Sequence, residues 1–107
     1  MMKKVHPKIN TNRLREIGWS LWDPIGLNKT MGGWKGRPFE DEYDTYLAKA
    51  AGMLRNNSDF TEVVDYLFFI QSQHIGMGPK EIDLRIRTKL LAVVQAISDD
   101  PLIWRKP

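Results

Sequence analysis

A chain of 107 residues has room for one domain around one hydrophobic core. Its 42% hydrophobic and 27% charged content speaks against disorder, and the absence of cysteine removes disulfides, thiolate metal sites and cysteine nucleophiles. No apolar run approaches the roughly 20 residues that cross a bilayer, and the basic opening Met1–Pro7 has no apolar stretch behind it. Neither a membrane span nor a secretory signal is expected, and the expected location is cytoplasmic, in a microbe.

The net charge of +3 decides no partner, but its layout is uneven. Residues 1–38 hold eight basic and two acidic side chains, whereas residues 39–66 hold seven acidic and two basic ones. Such complementarity closes within one monomer or between two copies, or it offers a face to a charged partner. Closure among the chain's own charges is the plainer reading.

In chain order, residues 1–10 are Lys-rich, contain Pro7 and lack periodicity. They read as a flexible basic arm, and residues 11–107 read as a single helical domain. From Asn12, the residues Leu14, Ile17, Leu21 and Ile25 recur at helical steps. Asn10, Thr11 or Asn12 supplies the cap, and Pro24 ends the helix by about Trp22. Residues 26–38, with four glycines and Pro38, read as a long loop.

A second helix is expected from just after Pro38 to about Arg55, burying Tyr43, Tyr46, Leu47, Ala50 and Leu54. Glu40, Asp41, Glu42 and Asp44 would then lie at its positive dipole end. Asn56-Asn57 stops it, and Asp59-Phe60-Thr61-Glu62 has capping-box spacing. The third helix runs to about Ile75 on an apolar stripe wide enough to suggest the central position. Gly78-Pro79 opens a fourth helix with its main stripe at Ile82, Ile86, Leu90, Val93 and Ile97, closed by Asp99-Asp100-Pro101. The apolar tail Leu102-Ile103-Trp104 folds back. Nothing alternates with period two, so the fold class is all-α, a compact bundle of about four helices.

Two segments stand out. Trp22-Asp23-Pro24-Ile25-Gly26-Leu27 reads as a helix exit with a turn at Asp-Pro. Asp41-Glu42-Tyr43-Asp44-Thr45-Tyr46 reads as a helix entrance, with acids at the positive end and tyrosines burying their rings. The run from Arg15-Glu16-Ile17-Gly18-Trp19 through these two motifs resembles a domain-of-unknown-function family of small bacterial helical proteins. The resemblance extends through Ala51-Gly52-Met53-Leu54-Arg55 and more loosely to His74-Ile75-Gly76. It implies an all-α fold and no activity. The loop carrying Met31-Gly32-Gly33-Trp34-Lys35-Gly36 is longer than that pattern has.

No catalytic, cofactor-binding or metal-ligating residue is assigned, and no cofactor is implied. The expected role is a protein–protein interaction or regulatory module. Its partner would be another protein or a second copy, and its candidate surface comprises Trp22, Asp23, Trp34, Asp41, Glu42, Asp44 and His74. Four Trp and five Met supply anchors and adaptable contacts for such a surface. One rival is a nucleic-acid-associated regulator using Lys3, Lys4, Lys8, Arg13 and Arg15 with the Lys29, Trp34, Lys35 and Arg37 loop. The acidic second helix opposes that rival, and Arg85, Arg87 and Lys89 are interleaved with core positions. Another is a small metal-dependent hydrolase centred on Asp41, Asp44 and His74, whose ligand set is incomplete. Ser72, two residues from His74, lies on the wrong side of a helix to serve as its nucleophile.

Overall fold

The computed structural model describes residues 9–76 and 78–104. The basic arm expected over residues 1–10 lies, as far as Lys8, outside the described residues. At its end, the Asn10 side chain caps α1 (Thr11–Ile17) by accepting from the Arg13 amide at 3.3 Å. The Asn10 amide donates to the Ile103 carbonyl at 3.1 Å, so the start of the helix is tied to the end of the chain.

The first helix does not end as the stripe implies. It widens into a π-type turn over Gly18–Trp22, closed by the Asp23 amide donating five residues back to Gly18 at 2.8 Å. A wider turn rotates every following side chain relative to an α-helical stripe. Leu21, expected in the core, is therefore 40% exposed, and Trp22 takes its place at 1%. Gly18 is at ordinary helical angles, but a Cβ there would collide with Leu47 Cδ1. The glycine lets α1 approach α3 closely.

Within the expected loop, Leu27–Thr30 forms a single helical turn, α2. The next helix, α3 (Asp44–Arg55), starts later than the acids suggest. The Trp19 indole N–H donates to the Glu40 carbonyl at 2.9 Å, and the Asp44 amide turns back to Asp41 rather than to Glu40. Residues 39–43 are held as turns, so Glu40, Asp41 and Glu42 precede the helix. Its far end closes as expected: Asn57 is left-handed at φ 68°. The Ser58 and Asn57 amides return to Met53 and Leu54 at 3.0 Å each, the Schellman pattern.

α4 (Phe60–Phe69) opens with the expected capping box, in which the Asp59 amide donates to Glu62 at 3.0 Å. It runs into a second π-type turn, Ile70–His74, closed by Ile75 onto Ile70 at 2.7 Å. The last helix, α5 (Leu84–Asp99), begins at neither Gly78 nor Pro79. Gly78 is left-handed at φ 80°, and Asp83 provides the cap by accepting from the Ile86 amide at 2.8 Å.

Among the described residues there are five α-helical segments and no strand, and the fold is all-α. α5 touches α4, α3, α1 and the first π turn, so it, rather than the wide-striped α4, is the central helix. Leu90, Val93, Val94 and Ile97 are fully buried on it, while Phe69 on α4 is 55% exposed. Burial of each such aliphatic side chain contributes about 1.5–3 kcal/mol. The tail folds back as expected: Ile103 is fully buried and the Trp104 indole donates to the Ile97 carbonyl at 2.9 Å. No helix among the described residues is long and apolar enough to cross a membrane.

Candidate functional site

The two distinctive segments meet, and their meeting consumes most of their chemistry. Asp23 is left-handed, at φ 36°, a conformation that Asp tolerates better than most side chains. Its carboxylate accepts from the amides of Gly26, Leu27 and Asn28 at 3.1–3.2 Å and from the Tyr43 hydroxyl at 2.8 Å. That hydroxyl in turn accepts from the Ile25 amide at 3.0 Å. Burial pushes the Tyr43 hydroxyl well above its ordinary range, and the Asp23 carboxylate beside it pushes the same way. At neutral pH it is a fixed, neutral phenol holding a loop to a helix.

Trp22 lies inside this region rather than on a surface: it is buried, and its indole N–H donates to Gln71 Oε1 at 3.0 Å. Trp19 is also buried, with ring centroids 4.6 Å from Tyr43 and 5.6 Å from Phe39. Asp44 is taken by Arg15, whose guanidinium grips its two carboxylate oxygens at 2.5 and 3.2 Å and reaches Glu40 at 3.3 Å. Arg13 binds Asp100, at 2.7 Å from Nη2, and Glu16. Burial alone would raise the Asp100 carboxyl, but Arg13 and the Leu102 amide outweigh it and hold it below the usual carboxylate range. Basic and acidic segments thus close on one another within the monomer, at least through Arg15.

The remaining candidates stay accessible. Asp41 and Glu42 are exposed. His74 is exposed with its ring edge-on to Tyr46, centroids 5.5 Å apart. Trp34 is half-buried, stacked on Trp19 at 6.0 Å with planes 9° apart, and Lys35 Nζ stands 5.8 Å from its ring. Beside Trp34 runs an open groove of about 500 Å³ between α1 and the loop. Ile17, Leu21 and Trp34 supply its apolar lining, and Arg13, Glu16 and Lys35 its charged one.

Asp41, Asp44 and His74 do not combine into a site. Among the described residues no group of three or more His, Asp or Glu side chains is placed to hold a metal. Ser72 is buried, and its hydroxyl donates to the Phe68 carbonyl at 2.7 Å. Of the groups that line the surface recesses, Leu21 and Gln71 are not among the candidates that the sequence suggests. Leu21 was hidden by the helical period, which the π turn breaks.

Comparison of the chain with known protein families, curated proteins and solved structures finds no match.

Proposed function

We propose that this is a cytoplasmic protein-binding module whose contact face is the groove beside Trp34. The observation that carries this reading is the composition of the groove. An exposed Leu21 and a half-buried Trp34 form an apolar centre with charged side chains at its border, the anatomy of a protein interface. Trp34 rests on the buried Trp19 ring, which gives a rigid aromatic anchor of the kind that dominates binding energy. Asp41 and Glu42 stand exposed on the chain that follows the loop. Asp23 and Asp44 support the fold instead, since their carboxylates are already engaged.

The nucleic-acid reading loses two of its cations. Arg13 and Arg15 are both paired with carboxylates, which leaves Lys29, Lys35 and Arg37 of the described loop without such partners, Arg37 donating instead to the Met31 carbonyl at 2.8 Å.

The test compares proteins captured from a native lysate by the parent chain and by a Leu21→Asp variant, with Asp41→Lys/Glu42→Lys as a second arm. A defined protein held by the parent and lost by Leu21→Asp supports the groove. Capture unaffected by Leu21→Asp overturns it, and loss in the second arm alone moves the face to the acids. Light scattering of the purified chain identifies a second copy as the partner if the parent is dimeric and the variant monomeric.

A further inference from the structure

A second recess, independent of the Trp34 groove, lies where the two π-type turns come together. It is a half-enclosed cavity of about 240 Å³, bordered by Asp23 after the first turn, Gln71 of the second, and Arg85 and Lys89 of α5, with Ile86 and Leu90 of the same helix among its apolar lining. Three unusual features converge there. π-type turns interrupt otherwise regular helices, frequently at functional sites; here the second turn lines the cavity through Gln71, the first ends at its edge in Asp23, and the two are joined by the bond from Trp22 to Gln71. Asp23 holds a left-handed backbone next to them.

The third feature is charge. Arg85 and Lys89 stand one helical turn apart on the same face, within the first six residues of α5. The helix dipole there disfavours positive charge. Among the described residues, the ion pairs involve only Arg13 and Arg15, so neither cation has an acidic partner. Asp83, the nearest acid in sequence before Arg85, is occupied as the cap of α5. Gln71 spends its oxygen on the Trp22 indole, which leaves its amide N–H groups as donors at the cavity. Asp23 also borders the recess, but three amides and the Tyr43 hydroxyl already donate to its carboxylate.

We infer that this recess binds a small phosphate-bearing anion. A guanidinium, an ammonium and an amide donor around one concavity match the oxygens of a phosphate group. The cavity is smaller than the roughly 300–1,000 Å³ of drug-sized pockets, which suits a single phosphate group rather than a nucleotide.

The experiment titrates inorganic phosphate into the ¹⁵N-labelled full chain, with chloride replacing it at constant ionic strength in the control. The expected result is a saturable shift of the Trp22 indole N–H and Gln71 side-chain amide signals, with the Trp104 indole unmoved. Arg85→Ala/Lys89→Ala should weaken binding at least tenfold by the loss of two charge-assisted contacts. Gln71→Glu should do the same while keeping an acceptor for Trp22, so it reports on the anion and not on the fold. Shifts that do not saturate, that chloride reproduces, or that survive in both variants would overturn the assignment.

Discussion

Two groups of apolar side chains in the amino-terminal half are put to opposite uses. Trp19, Trp22 and Tyr43 are buried, and each polar handle has a partner: the Glu40 carbonyl, Gln71 and Asp23. Leu21, on the first π-type turn, and Trp34, stacked on Trp19, face a groove bordered by Lys35 and Glu16. The difference teaches that aromatic richness alone does not mark a contact face. A tryptophan whose N–H is spoken for and whose ring is covered holds the fold, whereas one stacked on it from outside remains available to a partner.

The comparison breaks first at Trp19. Trp19→Ala removes a ring that touches Tyr43, Phe39 and Trp34, and it should cost about 3–5 kcal/mol in denaturant unfolding. It should also release the Trp34 loop, seen as changed fluorescence of the remaining tryptophans. A smaller perturbation is Gly18→Ala. The new methyl meets Leu47, which is fully buried, so a loss of roughly 1–3 kcal/mol from overpacking is expected. An unchanged unfolding midpoint would show that α1 and α3 are less closely packed than the geometry states.

Tyr43→Phe sharpens the comparison further, because it deletes one hydroxyl and leaves the ring. The Ile25 amide loses its acceptor and Asp23 loses a donor, a cost of about 1–3 kcal/mol. The same variant tests pH dependence. The Tyr43 value is raised on folding, so its contribution is complete below the unfolded tyrosine value and is lost as pH rises through the folded one. The parent should weaken in alkali above about pH 10, and Tyr43→Phe should weaken less. Asp100 has the opposite sign. Its folded value is lowered, so its contribution holds above the ordinary carboxylate range and falls away as pH drops through the folded value. Asp100→Asn should flatten the acid limb of a stability–pH curve.

Much of the fold was legible because apolar side chains at helical spacing, capping residues and breakers act locally. Asn10, the Asp59–Glu62 box and Asn57 each did what their chemistry dictates. The illegible parts were decided by long-range contacts. The start of α3 moved because an indole 21 residues away binds the Glu40 carbonyl. The start of α5 moved to Asp83, which a Gly-Pro pair upstream obscured. The helical period also misassigned Leu21, since a π-type turn leaves no plain mark in composition.

Of the candidate surface, accessibility alone can be compared with the structure. Trp34, Asp41, Glu42 and His74 remain accessible, whereas Trp22, Asp23 and Asp44 proved to be engaged by partners that pattern reasoning does not supply: Gln71, Tyr43 and Arg15.

Leu21 and Trp22 are neighbours in the chain and opposites in the fold, so unfolding their variants side by side tests the division most directly. Trp22→Ala should lower stability by about 3–5 kcal/mol, and Leu21→Asp should stay within about 0.5 kcal/mol of the parent, as exposed positions do. Equal losses, or a larger loss for Leu21→Asp, would contradict the π-turn register and remove the groove from the surface.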